Sequence, residues 1–194
     1  MNAPAPIDQY LDAFVTHHPM AQDALQGGHI VAESRHILPT GGILPHLVAD
    51  GVLVVGDAAG QVKSTTGGGL YYGMACAQMA GRAIGLALRA ASNGVLPGHA
   101  LQRYETEWRA RFGEEIAFGV RVRAFLDALN DDEVDYLFTV LHREVSLLRH
   151  IEADGDIDRQ STVGLTLLRY AKYAIKRPGL LIKLYRAFPR LGRP

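Results

Sequence analysis

The chain has 194 residues, 48% of them hydrophobic, and carries 20 Lys or Arg against 20 Asp or Glu. This length buries one sizeable core, so one domain or a domain with an appended helical segment is expected, and the balanced charge gives no reason to expect a nucleic-acid partner. A single cysteine, Cys76, excludes an internal disulfide; with no secretory pattern at the start and no apolar stretch near the ~20 residues of a membrane span, a reducing cytoplasmic setting is expected.

Ile7 to Val15 reads as a short amphipathic helix stopped near Pro19, and Gly28 to Leu38 alternates as a strand would. Gly41-Gly42 and Pro45 turn the chain toward the apolar run Val52-Leu53-Val54-Val55, which reads as a buried strand. Gly56-Asp57 stops that strand, and Gly67-Gly68-Gly69 open a long helix from Leu70 to Ala91, whose Ala, Gly and Met content suits close packing and predicts burial. His99 to Leu129 reads as one long helix with Leu101, Tyr104, Trp108, Phe112, Ile116 and Val120 on its apolar face. Asn130 with Glu133 forms a capping-box-like start for a helix reaching about Ile151, and Asp154-Gly155-Asp156 reads as a loop. The acidic Asp131-Asp132-Glu133 run complements that helix's dipole and needs no metal to explain it.

From Ser161 to Pro194 the sequence has no Asp or Glu, whereas Arg169, Lys172, Lys176, Arg177, Lys183, Arg186, Arg190 and Arg193 are basic. Leu165, Leu168, Ala171 and Ile175 recur at helical spacing, and Leu180, Leu181, Leu184 and Phe188 repeat the pattern after Pro178. Two readings fit: a helix pair closing the core with a solvated basic face, or an amphipathic segment lying in a bilayer interface at the inner face of a membrane.

The chemistry concentrates between Gly51 and Leu88. Glycines without Cβ atoms let a bulky planar or phosphorylated ligand approach the backbone, and the first-turn N–H groups of the following helix favour negative charge. The Asp57 carboxylate is expected to face the same crevice. Lys63-Ser64 after Gly60 is not a P-loop, because Val62 stands where that motif needs Gly. No Gly-x-Ser-x-Gly elbow supports a serine hydrolase. The histidines, including His17-His18, His142 and His150, lack zinc-site spacing, so no metal is expected. Cys76 suits a buried small hydrophobe better than a reactive thiol.

The segment resembles the second FAD-binding motif, the Gly-Asp motif, of the flavoproteins that include aromatic hydroxylases. With Thr66-Gly67-Gly68-Gly69-Leu70-Tyr71-Tyr72-Gly73-Met74 it is most similar to the geranylgeranyl reductase family. Gly41-Gly42 with Pro45, Tyr104-Glu105, Trp108-Arg109 and Phe112-Gly113-Glu114-Glu115 extend the resemblance over Gly28 to about Leu148; the family usually has Pro where this chain has Ser64.

The resemblance implies an α/β fragment of an FAD/NAD(P)-binding Rossmann-like flavoprotein followed by a mainly α-helical region. Its parts would be a partial FAD-binding domain over 1–96, a helical region over 97–160 and a basic amphipathic segment over 161–194. Gly56, Asp57, Gly67, Gly68, Gly69 and Leu70 would bind FAD, Asp57 at a ribityl hydroxyl and the glycines along the pyrimidine edge of the ring. Tyr71 and Tyr72 are candidates for lining the flavin or substrate cavity, with core packing expected of at least one; no residue stands out as the proton donor.

The implied activity is reduction of isoprenoid double bonds by hydride transfer from reduced flavin, on a lipid-linked or other isoprenoid substrate. A flavin-dependent aromatic or polyketide monooxygenase and a non-catalytic remnant or membrane- or partner-binding module are the alternatives. No Gly-x-Gly-x-x-Gly occurs in the chain, so the pyrophosphate site is expected from elsewhere, such as an N-terminal partner chain. The isolated chain is expected to be inactive.

Overall fold

The computed structural model describes residues 7–34, 36–91, 96–143, 149, 161 and 177–189. These are mostly helical, with one two-stranded sheet among the described residues. The chain divides into two units, Met1–Ile37 and Leu38–Pro194.

In the first unit, α1 (Ile7–His17) is followed at once by α2 (Pro19–Ala24). Pro19 cannot continue α1, but its fixed φ and missing N–H suit the first turn of a new helix. Ala21 is the one buried residue of this unit among those described. The strand expected over Gly28 to Leu38 is not formed among the described residues. Ile30, Val31 and Ile37 are exposed by 73, 86 and 95%, and no ladder partner lies beside them among the described residues. Alternation marks a segment able to pair, but a strand exists only where a neighbour takes its N–H and C=O groups.

The second unit opens its regular structure with a hairpin, β1 (Val48–Ala49) and β2 (Val52–Leu53), with Val48 opposite Leu53 and Ala49 opposite Val52. Asp50-Gly51 makes the turn, Gly51 at φ +70°. The buried strand expected here is therefore short and half-covered: Val52 is 53% exposed, while Val54 and Val55 rest against the core. A run buried on both faces needs a packed layer over each face, and the side on which Val52 stands has none among the described residues. The α/β part of the expected fold is reduced among the described residues to this hairpin.

Beyond a 3-10 turn (Gly56–Ala59), α3 runs from Leu70 to Ala90. It buries Tyr72, Cys76, Met79, Ala80, Ala83 and Ala87 and leaves Leu70, Met74, Leu86 and Leu88 exposed, so the burial expected of this helix holds for one face. Its alanines allow close approach of α4 (Gly98–Trp108). A π turn (Arg109–Gly113) then leads into α5 (Glu114–Asp127); the expected long helix is continuous but contains this widened turn. Leu101, Tyr104, Trp108, Phe112 and Ile116 are all buried as expected, and Val120 is half-buried. Leu47, Ala59, Tyr72, Cys76, Tyr104, Trp108 and Phe112 share one core cluster, each large side chain there stabilising the fold by roughly 1.5–3 kcal/mol.

The capping box forms as read. At the start of α6 (Asp131–Arg143) Asn130 Oδ1 accepts the Glu133 N–H at 3.0 Å, and Glu133 Oε2 accepts the Asn130 N–H at 2.9 Å. The reading of this helix to Ile151, the Asp154-Gly155-Asp156 loop and the Leu165 to Ile175 stripe lie outside the described residues. The last described helix, α7 (Pro178–Ala187), packs on α5.

Candidate functional site

The Gly-Asp segment folds into a crevice because its glycines permit what other residues would not. Gly56, Gly60 and Gly67 have φ of +72°, +76° and +75°, the left-handed region that side chains disfavour. Gly60 lies so close to the loop at Gly42 that a Cβ would overlap the Gly42 carbonyl oxygen. The Leu44 N–H donates to the Ala59 carbonyl at 3.2 Å alongside it. The Gly41-Gly42 loop and the Gly-Asp turn are thus pressed backbone to backbone.

Asp57 is exposed, and its carboxylate lies over Gly69, where a Cβ would collide with Oδ1. Gly69 is the N-cap of α3 and supplies no side-chain hydrogen bond to the first turn. A carboxylate therefore stands at an uncapped helix N-terminus, where the dipole favours negative charge. Between them the chain loops tightly: the Gly67 N–H donates to the Lys63 carbonyl at 2.8 Å and the Lys63 N–H to the Gly68 carbonyl at 2.9 Å. The Gly68 N–H approaches Thr66 Oγ1 at 3.4 Å. Of the expected amide donors, those of Gly67 and Gly68 are engaged within the loop itself. Ser64 is buried in the same loop, and its hydroxyl has no hydrogen-bond partner.

Leu70, 78% exposed, and Tyr71 stand at the surface beside this crevice, whereas Tyr72 is in the core with its ring edge-on to Phe112 at 5.0 Å. The structure brings Gly56, Asp57, Gly69, Leu70 and Tyr71 to one end of α3 and sends Tyr72 inward. Leu38 closes the Gly67 side, 2.9 Å from where a Cβ would stand.

Sequence reasoning singled out Tyr104-Glu105 and Trp108-Arg109 but missed Gln61 and the bonds by which they hold the crevice in shape. Gln61 is fully buried; its Oε1 accepts the Gly56 N–H at 2.8 Å and its Nε2 donates to the Tyr104 hydroxyl at 2.7 Å. That hydroxyl donates in turn to the Val54 carbonyl at 3.1 Å. Burial pushes the Tyr104 phenol up to about 12, with the Gln61 hydrogen bond acting the other way, so it stays a neutral donor. Burial alone would also raise Glu105, but hydrogen bonds from Arg109 outweigh it and hold the carboxyl below its ordinary range. Glu105 accepts from Arg109 Nε at 3.0 Å and also bonds the Leu47 backbone, while Arg109 reaches the Pro45 carbonyl at 2.9 Å. Tyr104-Glu105 and Trp108-Arg109 therefore fasten α4 to the strand end and to the loop beneath the Gly-Asp turn. The sequence signal was an amide, Gln61, in an otherwise small and apolar stretch.

Cys76 is buried in the core with its thiol pushed up to about 11 by burial, against a smaller opposing pull from Arg111; it is a packing residue, not a nucleophile. Among the described residues no group of His, Cys, Asp or Glu could hold a metal.

An uncapped helix N-terminus, a carboxylate laid across it and a glycine-built loop define the class: a strand-turn-helix junction shaped by glycines, with an acidic side chain at the helix start. Comparison with known proteins gives that class its family. The chain is 37% identical over 135 residues to digeranylgeranylglycerophospholipid reductase 2 of Methanothermobacter thermautotrophicus, covering 70% of this chain and 31% of that protein. It is 31% identical over 164 residues to digeranylgeranylglycerophospholipid reductase of Methanocaldococcus jannaschii, covering 84% of this chain and 40% of the relative. A further reductase of that name, from Methanothermobacter thermautotrophicus, is 42% identical over 97 residues. The chain belongs to the geranylgeranyl reductase family over the part of their length that it spans, between 31 and 40% in the first two cases. No protein-family model matches the chain, and no solved structure matches it.

Proposed function

We propose that this chain supplies the ring-binding half of an FAD site in an isoprenoid-reducing flavoprotein. The observation that carries the reading is the apposition of Asp57 and Gly69 at the uncapped start of α3. The cradle fits a planar, polar group. Gly68 offers backbone without a side chain, Asp57 stands exposed over Gly69 at a helix start with no side-chain cap, and the buried Ser64 hydroxyl has no hydrogen-bond partner.

Bound FAD would supply hydride transfer to a carbon–carbon double bond. The chain's own part is electrostatic and positional. Asp57 would accept hydrogen bonds from ribityl hydroxyls, and the α3 N-terminus would favour negative charge along the ring's pyrimidine edge. Gln61 and Tyr104 would keep the turn at Gly56 in place, and Tyr71 would stand beside the ring. The names of the relatives favour a lipid-linked isoprenoid chain as the substrate. The parts of the family's length that this chain does not span would supply the pyrophosphate site. An aromatic hydroxylase shares the Gly-Asp motif but is favoured by no further observation.

The test is flavin retention by the full chain, alone and co-expressed with the product of the neighbouring upstream reading frame, read by absorbance and by quenching of flavin fluorescence. Retention in the mixture, weakened about tenfold or more by Asp57→Ala through loss of a charge-assisted hydrogen bond and likewise by Gly69→Ala, supports the reading. Equal retention by both variants, or none by the wild type in either setting, overturns it.

A further inference from the structure

Helix α7 is apolar on two sides, and only one of them is used in the fold. Leu180 is 2% exposed, and the Phe188 ring stands 5.5 Å from that of Phe118 on α5. Of the stripe read from the sequence as Leu180, Leu181, Leu184 and Phe188, the first and the last two turn inward and close the helical core, whereas Leu181 is exposed. The opposite side presents Leu181, Ile182 and Tyr185, exposed by 41, 54 and 55%. Their spacing puts all three on one face, with the exposed Arg186 beside them.

The charges around this helix are sorted. Lys183 is ion-paired with Glu133 at 2.5 Å, and Arg177 lies 4.8 Å over the Tyr136 ring in a concavity it shares with Asp132 and Asp135. The acidic groups near α7 therefore meet cations at its inner side and N-terminal end. Along the sequence nothing acidic occurs from Ser161 to Pro194, and Arg190 and Arg193 follow the helix. An outward face of Leu, Ile and Tyr with the cationic Arg186 beside it among the described residues, in a segment whose sequence adds only basic charge, matches a surface that is both apolar and anionic. A protein groove needs the apolar part alone.

We propose that this face of α7 docks on a bilayer bearing anionic phospholipid, with Leu181 and Ile182 below the head groups. Tyr185 would sit at the interface and Arg186 at the phosphates. A helix of this length spans roughly 15 Å at ~1.5 Å per residue, so it would lie along the surface. Consistently, no helix among the described residues is long and apolar enough to cross a membrane.

The experiment is flotation of the full chain with phosphatidylcholine vesicles and with equimolar phosphatidylcholine–phosphatidylglycerol vesicles. Binding is expected to the anionic vesicles and to fall severalfold as salt rises from about 0.05 to 0.5 M, as screening of surface charge requires. Ile182→Ser with Tyr185→Ser should lower partition about tenfold or more, and Arg186→Glu severalfold, at unchanged circular dichroism. Failure of the wild type to float, equal binding to neutral vesicles, or full binding by the folded double variant overturns the proposal. A concentration-dependent dimer abolished by the same double variant would also overturn it and assign the face to a second copy. No flavin enters these measurements, so failure here leaves the flavin reading intact.

Discussion

At the scale of single residues, two glycines in the same neighbourhood have opposite fates under substitution. Gly60 combines a φ of +76° with a backbone contact in which an added Cβ overlaps the Gly42 carbonyl. Gly41, one residue from that contact, has open space within 4 Å and no left-handed φ. The first substitution strains the backbone by about 1–2 kcal/mol and must also push two main chains apart, which costs about 1–3 kcal/mol more. Gly60→Ala is therefore expected to destabilise by roughly 2–5 kcal/mol and Gly41→Ala by less than about 0.5 kcal/mol, read as urea midpoints. Equal midpoints would mean that the Gly41-Gly42 loop yields freely. Both glycine pairs stood out in the sequence as turn formers. Their contact, between positions eighteen or so apart in the chain, had no local signature.

At the scale of elements, α4, the π turn and α5 show what the apolar spacing contained and what was overlooked. Tyr104, Trp108, Phe112, Ile116 and Val120 are spaced by four throughout. In a helix of ~3.6 residues per turn, each step of four rotates the stripe by roughly 40°, so the row should wander off the core. It stays because the wider turn at Arg109–Gly113 takes back part of that rotation in the middle of the row. The identity of the buried residues was legible from periodicity. The device that keeps them aligned was implicit in the unbroken fours. Gly28 to Leu38 misled in the opposite way, since alternation alone does not provide a partner.

The start of α6 was legible in full because a capping box is a local contact. It also gains a partner no sequence pattern announces: Lys183 of α7 bonds the same Glu133 carboxylate and, with the Asn130 N–H, holds it below the ordinary value of 4.5. A carboxyl lowered in the folded state contributes stability that is present above its unfolded value and lost as pH falls through the folded one. Glu133→Gln should flatten the acid limb of stability below about pH 4.5, while leaving the alkaline side parallel to wild type. Asn130→Ala removes the reciprocal bond and should lower stability by about 1 kcal/mol at neutral pH. Urea midpoints across pH check both, and an unchanged acid limb in Glu133→Gln would remove the ion pair from the account.

At the scale of the molecule, the core and the candidate crevice belong wholly to the unit from Leu38 onward. Every member of the main cluster lies at Leu47 or later, and Asp57, Gln61, Gly69 and Tyr104 are fixed by contacts within that unit. The first unit buries Ala21 and leaves Tyr10, Leu11, Phe14, Met20 and Leu25 exposed by 41 to 75%, too little apolar burial to stabilise two short helices by itself. The chain also spans only part of its relatives' length. The outward face of α3, which keeps Leu70, Met74, Leu86 and Leu88 exposed, has no role in this core. A chain beginning at Leu38 should then unfold cooperatively with a thermal midpoint within about 2–4 °C of the full chain, a shift worth about 1 kcal/mol at this size. It should also keep whatever flavin retention the full chain has. A drop well beyond that range, or loss of cooperativity, would mean that Leu38–Pro194 does not fold by itself.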